Sequence, residues 1–213
     1  VEVLKAVSDP DGVTLLTDTD HVVRARSLVF CCGYEFPKGV PTPGAEIIST
    51  WAMASKPRQR CPAWLRSTLV WEASDPYLYL RMGGDGRLIV GGEDEASADA
   101  HEDKAKLERK REVITAKLRR LLPDVAFETD YGWAGAFGES ATGLPNIGPV
   151  MGMDHTWAVM GFGGNGITYS VIASQIVAAE MRGKTDPDAD LYRPAKSDAG
   201  AAWPPRAAGP TSA

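Results

Sequence analysis

Residues 161–166 hold four glycines between a short apolar strand predicted at 157–160 and an apolar segment that predicts a helix over 167–181. Glycine at such a junction lets another molecule approach the backbone, and the first N–H groups of a helix have no partner within the helix. A helix N-terminus also carries roughly half a positive charge, which favours an electron-rich or anionic ligand atom. The segment 161–168 therefore predicts a ligand site on a strand–turn–helix.

The same glycines leave two alternatives. Gly161, Gly163 and Gly166 satisfy the dinucleotide fingerprint Gly-x-Gly-x-x-Gly, which would indicate an NAD(P)-dependent dehydrogenase. That motif needs a second apolar strand ending in an acid about 20 residues further on. Residues 182–190 are instead a Pro-containing acidic loop, which disfavours this alternative. A ligand-free turn is also disfavoured, because packing alone seldom requires so many glycines.

Composition indicates a globular chain and excludes some partners. The chain has 213 residues, is 44% hydrophobic and carries a formal net charge of −5, which provides no general attraction to nucleic acid or to an anionic membrane. No apolar run approaches the roughly 20 residues of a membrane span. The cysteines are Cys31, Cys32 and Cys61, without a Cys-x-x-Cys motif, so we expect reduced thiols and a cytoplasmic location.

The N-terminal part of the sequence is typical of short strands separated by turns. Residues 1–31 predict a four-stranded β-meander with strands at 1–7, 13–17, 21–26 and 27–31, the last an apolar run suited to burial on both faces. Further strands are predicted at 47–53, 67–73, 76–82, 87–90 and 127–137, of which 76–82 and 87–90 form a hairpin.

Two periodicities predict which residues face a core. On strand 76–82, alternation places Tyr77, Tyr79 and Arg81 on one face and the two leucines between them on the other. From about 102 to 122 the period becomes helical, because an apolar stripe of Leu107, Ile114, Leu118 and Leu121 interrupts charged residues before Pro123.

Taken in order, these motifs resemble a known family. The relevant segments are 29–34, 76–81, 85–87, 91–94, 143–148 and 161–166. Together they resemble the C-terminal portion of the FAD-dependent oxidoreductases related to D-amino-acid oxidase, glycine oxidase and sarcosine oxidase, over about 1–193. A non-catalytic β-rich binding module from a truncated gene stays open as a third alternative.

The resemblance implies an α+β fold. It combines a mainly antiparallel β-sheet substrate domain with flanking helices, at 46–137, and the closing strands and helix of an FAD-binding domain, at 1–45 and 138–194. Residues 195–213 are mostly small or Pro, and we expect a disordered tail. The family's N-terminal dinucleotide-binding Rossmann segment is not in this sequence, so we expect a partial protein that needs that segment as a partner.

By the same resemblance, three segments contact FAD. Cys32 and Gly33 fall beside the diphosphate, and Val3 beside the adenine. The glycine junction would lie beside the N1–C2=O edge of the flavin, where a helix end stabilises the negative charge of the reduced ring. Its residues are Gly161, Phe162, Gly163, Gly164, Asn165, Gly166, Ile167 and Thr168.

Family members oxidise a C–N bond of an amine or amino acid: hydride passes to flavin N5, and water hydrolyses the imine. Tyr77 stands where glycine oxidase-like members have a tyrosine that faces the substrate, and Tyr79 and Arg81 follow on its face. A sheet face packed against its neighbours stays open as the alternative for Tyr77. No catalytic acid or base and no metal site is assigned. We expect Glu93 and Asp94 to lie in a solvated loop.

The sequence departs from the family in its cations. Amino-acid oxidases clamp the substrate carboxylate with an arginine, and Ala134 stands at the matching position. Sarcosine oxidases have a flavin-linking cysteine near that place and a carboxylate-binding lysine where this chain has Thr168. We therefore expect non-covalent FAD and a small-molecule amine, or an amino acid held differently, with Arg81 as the visible substitute cation.

Overall fold

The computed structural model of this chain describes residues 1–35, 37, 40 and 46–193. The predicted tail at 195–213 lies outside the described residues. The chain divides into two compact units, one formed by the described residues of 1–45 and 138–193 and the other by 46–137.

The described part of the chain forms eleven β-strands and two α-helices. They are β1 Val3–Asp9, β2 Gly12–Thr17, β3 Val22–Ala25, β4 Leu28–Phe30, β5 Glu46–Ser55, β6 Val70–Trp71, β7 Leu78–Met82, β8 Leu88–Glu95, α1 Lys104–Leu121, β9 Thr129–Glu139, β10 Asn146–Pro149, β11 Thr156–Met160 and α2 Gly166–Glu180. Neither helix is long and apolar enough, among these residues, to cross a bilayer.

The discontinuous unit contains two small sheets. Strands β1, β2 and β3 form an antiparallel sheet in that order, and β10, β11 and β4 form the second. The prediction of a four-stranded meander is therefore wrong in its last strand, because β4 pairs in parallel with β11. The apolar side chains of β4 explain this, since Val29 packs against one apolar cluster of this unit and Phe30 against another.

Helix α2 follows β11 directly and packs on the second sheet. Its buried residues Ala173, Ile176 and Val177 join Ile147 and Val159 in one apolar cluster. A 3₁₀ helix at Ala189–Tyr192 comes next. Within the described residues, which end at 193, no strand follows α2 to complete a βαβ unit with β11.

The continuous unit is a five-stranded sheet in the order β6-β7-β8-β5-β9, with α1 packed on one face. The described pairings of β6 with β7, β7 with β8 and β5 with β8 are antiparallel, and the α+β prediction is confirmed. Ile114 and Leu118 of α1 are buried as predicted. Leu121 is 45% exposed, whereas the adjacent Leu122 is buried. The prediction that Leu121 belongs to the buried stripe is therefore wrong, and Leu122 takes its place in the core.

The hairpin of β7 and β8 extends further than predicted. Leu78 and Leu80 are buried, and Tyr79 lies opposite Gly91 on β8. Strand β8 continues to Glu95, which pairs with Ser49 of β5, and the register between these strands shifts between Gly92 and Glu95. Glu93 and Asp94 therefore lie on a bulged strand, and the prediction of a solvated loop is wrong.

Candidate functional site

Two of the predicted cofactor segments meet in the discontinuous unit. Cys32 and Gly33 follow β4, and Gly161 follows β11, so the parallel pairing places both turns at the same edge of the sheet. The N–H of Gly161 donates to the carbonyl oxygen of Gly33 at 3.2 Å. The N–H of Cys32 donates to the sulfur of Met160 at 3.2 Å. The carboxyl edge of a parallel strand pair is where α/β sheets bind ligands.

The glycine junction continues into a helix that begins without a capping side chain. A 3₁₀ turn at Gly163–Asn165 precedes α2, and its Phe162 packs against the apolar cluster of Ile147. Asn165 makes no side-chain cap, and the first turn of α2 contains no acidic residue. The positive end of the α2 dipole is therefore not neutralised by a carboxylate of its own first turn.

Open space borders the backbone at three of these glycines. A Cβ placed on Gly33, Gly163 or Gly164 would meet no heavy atom within 4 Å. Gly33, Gly161 and Gly163 also have φ values of 64°, 72° and 55°, which L side chains rarely adopt. At the helix start, Ile167 is 88% exposed.

The remaining residues of the predicted cofactor set are placed differently. Gly166 begins α2, and Thr168 is exposed in its first turn. Val3 lies at the start of β1, in the other sheet of this unit, and is 49% exposed. The cofactor roles of all these residues stay predictions.

The continuous unit carries a row of aromatic rings on the sheet face opposite the buried leucines. The ring centroids of Trp71 and Tyr77 lie 5.0 Å apart, and those of Tyr77 and Tyr79 lie 6.4 Å apart. A Cβ on Gly91 would lie 2.4 Å from the Tyr79 hydroxyl, so the Tyr79 ring crosses the sheet directly over that glycine.

Asp94 is the acidic member of this aromatic face. The Tyr77 hydroxyl donates to Asp94 Oδ2 at 2.6 Å. Burial, and then the negative charge of Asp94, raise the pKa of Tyr79, while Arg81 lowers it. Arg81 is exposed and forms no ion pair with any described residue. The predicted trio of Tyr77, Tyr79 and Arg81 thus shares one environment with Asp94.

Glu93, the neighbour of Asp94, belongs to a different environment. It is 5% exposed and forms an ion pair with Lys117 of α1. Lys110 of the same helix lies 3.6 Å from its carboxylate and donates to its carbonyl oxygen at 2.6 Å. The bulge therefore directs Glu93 to the helix and Asp94 to Tyr77.

Sequence reasoning missed Asp94 and Trp71 as members of this face. The signal available for Asp94 was the pair Gly91 and Gly92 inside an apolar strand, since glycine in a strand interior often marks a bulge. The position of Trp71 beside the tyrosines results from the pairing of the two-residue strand β6 with β7. A strand this short has no periodicity from which that pairing could be predicted.

The described residues contain free cysteines but no group of side chains suited to a metal ion. The three cysteines are free, and burial, followed by the charges of Cys31 and Glu35, raises the pKa of Cys32. No group of three or more His, Cys, Asp or Glu side chains among the described residues could hold a metal ion.

Sequence relatives share parts of this chain. A glycine oxidase from Pseudomonas aeruginosa is 32% identical over 101 residues, which cover 47% of this chain and 27% of that protein. A bifunctional tRNA 5-methylaminomethyl-2-thiouridine biosynthesis protein from Polaromonas naphthalenivorans is 30% identical over 79 residues, 33% of this chain and 12% of that protein.

Solved structures share the fold over most of the chain. Glycine oxidase from Geobacillus kaustophilus has a TM-score of 0.74 at 20% identity, covering 92% of this chain and 52% of its own. Iminodiacetate oxidase from Chelativorans sp. BNC1 has a TM-score of 0.69 at 16% identity, covering 89% of this chain and 52% of its own. This chain spans about half the length of these two structures.

A family model agrees with these similarities and covers most of the chain. The model described as DAO, FAD dependent oxidoreductase, matches residues 1–180. The chain therefore belongs to the family of FAD dependent oxidoreductases that includes the amine and amino-acid oxidases.

Proposed function

We propose that this chain supplies the flavin-ring contacts and the substrate-binding face of an enzyme that oxidises the C–N bond of a small amine. The observation that carries the proposal is the joining of the two glycine turns, through Gly33 and Gly161, at the carboxyl ends of β4 and β11. When bound, FAD supplies the acceptor for the hydride that leaves the substrate carbon.

The residues of the glycine junction fit a flavin. Space is open beside Gly33, Gly163 and Gly164, so a planar ring or a diphosphate can approach the backbone there. The α2 N-terminus has no acid in its first turn that would repel an electron-rich ring edge. Cys32 and Gly33 would meet the diphosphate, residues 161–168 the ring, and Val3 the adenine.

FAD is held without a covalent link in this proposal. Strand β9, where the related sarcosine oxidases are expected to have their linking cysteine, contains none. Burial raises the pKa values of Cys32 and Cys61, which disfavours the thiolate that would attack a flavin.

An amine fits this chain better than an α-amino acid. Ala134, which matches the position of the carboxylate-binding arginine, packs against the core. No other residue of β9 could replace that arginine, because the strand contains neither Lys nor Arg. A substrate carboxylate near β9 would therefore lack a bidentate cation. Tyr77 and Tyr79 would contact the amine, and Arg81 would be the nearest cation on their own strand.

The substitution Gly164→Ala separates FAD binding from folding. Its backbone does not need a positive φ, and its Cβ would enter open space, so the unfolding free energy of the FAD-free protein should change by less than about 0.5 kcal/mol. The added methyl should weaken FAD binding about tenfold or more, because it occupies the space proposed for the ring. Urea unfolding measures the first quantity, and quenching of FAD fluorescence by the protein that includes the dinucleotide-binding segment measures the second.

The matched control is Gly84→Ala, which also adds a methyl to open space, in the turn between β7 and β8. It should leave FAD affinity unchanged. Equal FAD affinity in all three proteins would remove the glycine junction from the cofactor site. A protein that binds FAD but whose flavin is not reduced by any small amine under anaerobic conditions would contradict the proposed reaction.

A further inference from the structure

The β8 bulge is an unusual backbone feature beside the aromatic face. Gly92 and Glu93 have φ values of 125° and 59°, and the second is not glycine. A residue other than glycine in this region is uncommon and carries backbone strain. Bulges re-aim side chains and are over-represented beside active sites. Here the side chain that reaches the aromatic face is Asp94.

The hydrogen bond between Asp94 and Tyr77 has a defined direction. An ionised carboxylate only accepts, so the phenol of Tyr77 must donate its single proton to Oδ2 at 2.6 Å. That separation lies within the range of about 2.5–2.7 Å typical of a hydroxyl bound to a charged carboxylate. With its proton committed to Asp94, the Tyr77 oxygen meets any further group as an acceptor.

Among the described residues, Asp94 accepts a hydrogen bond from Tyr77 but forms no ion pair. Its Oδ1 is buried and has no hydrogen-bond partner among the described residues, and none of their ion pairs includes Asp94. The neighbouring Glu93 takes both nearby lysines of α1. A buried carboxylate oxygen without a partner is costly to stability. The negative charge beside Tyr77 and Tyr79 is therefore kept at a cost to stability, and Arg81 offsets part of it at Tyr79.

We propose that Asp94 is a positioning residue that holds Tyr77 as a hydrogen-bond acceptor for the N–H groups of the substrate amine. The same arrangement rejects a carboxylate at this point, since the hydroxyl proton is not available and the charge of Asp94 repels the anion. This inference rests on the proposed function, because it takes the aromatic face as the substrate surface. It assigns substrate selection to a residue outside the predicted trio.

The test compares two probes of nearly the same shape that cannot be oxidised at the carbon next to the charged group: tert-butylammonium and pivalate. Their affinities are measured by calorimetry for the FAD-loaded protein that includes the dinucleotide-binding segment. The unsubstituted protein should bind tert-butylammonium more tightly. Asp94→Asn should lower the ratio of the two affinities about tenfold or more, because an amide can donate to Tyr77 and release its proton towards pivalate.

Two further variants control for indirect effects. Asp94→Glu should keep most of the preference for the cation. Tyr77→Phe should lower the affinity for tert-butylammonium, because the acceptor oxygen is lost, and this result is informative even if Asp94→Asn fails to fold. Asp124→Asn makes the same chemical change at an exposed carboxylate of this unit and should leave the ratio unchanged.

Equal effects of Asp94→Asn on both probes, or no preference in the unsubstituted protein, would overturn the inference. Failure of the proposed function is distinguished separately, because it appears as absence of flavin reduction by amines while the binding preference and its loss in Asp94→Asn persist.

Discussion

Gly91 shows how one residue without a side chain shapes the aromatic face. A Cβ there would lie 2.4 Å from the Tyr79 hydroxyl, 2.6 Å from Cζ of the same ring and 2.9 Å from the backbone oxygen of Trp51. Strand propensity disfavours glycine in a strand interior. The close approach of Tyr79 accounts for its presence, since a side chain at 91 and a ring at 79 cannot both occupy this place.

We predict that Gly91→Ala destabilises the protein and displaces Tyr79. The backbone of Trp51 cannot move as a flexible side chain can, so overpacking should cost about 1–3 kcal/mol in urea unfolding. Gly135→Ala is the control, because its Cβ would meet no heavy atom within 4 Å. The explanation fails if the two variants unfold at the same urea concentration with unchanged tyrosine absorbance.

At the scale of elements, the ion pairs between β8 and α1 explain why the bulge can bury Glu93. Lys117 and Lys110 approach it from one helix face, and Lys110 also lies 4.6 Å from the centre of the Trp51 ring. A buried carboxylate with two cations is tolerated, whereas the loss of one partner leaves charge uncompensated.

We predict that Lys117→Met lowers the unfolding free energy by about 2–4 kcal/mol, somewhat less than the loss of a fully buried pair, because Lys110 remains. The Lys117 amine also donates to the Pro76 oxygen at 2.9 Å, and that bond is lost as well. Lys56→Met is the matched control, since its ion pair with Glu128 is exposed and should contribute little to stability. Equal losses in both variants would show that burial of Glu93 is not the cause.

The sequence predicted those strands and helices whose hydrophobic periodicity lies within a single segment. The alternation around Tyr79 and the helical period of Ile114 and Leu118 need only their own segments, and the structure has both. The partner of β4 could not be predicted in the same way, because it is β11, far along the chain. The environment of Glu93 was also missed, since it depends on lysines supplied by a helix that follows the strand.

The candidate site also has features that one segment of sequence predicts and features that depend on contacts between distant segments. The glycine junction could be predicted from the sequence, because several glycines at a strand–helix turn indicate a close approach of a ligand to the backbone. The hydrogen bond between Gly161 and Gly33 needed the parallel pairing of β4 with β11. The role proposed for Asp94 could not be predicted, because Gly91 and Gly92 indicate a bulge but not the sheet face on which it places each side chain.

At the scale of the whole molecule, the two units differ in how the chain builds them. The unit at 46–137 is continuous, and its apolar core, centred on Trp51, Leu80 and Ile114, lies entirely within those residues. The other unit combines segments from both sides of it. A continuous segment with its own core satisfies the usual criterion for independent folding.

We predict that residues 46–137, expressed alone, unfold in a single cooperative thermal transition monitored by circular dichroism. Ile114, fully buried in that core, provides the check on specificity. Ile114→Ala should cost about 2–5 kcal/mol in the isolated segment and by a similar amount in the whole chain, because the cavity has the same walls in both. A broad, non-cooperative transition in the segment, or a loss confined to the whole chain, would mean that this core depends on residues outside 46–137.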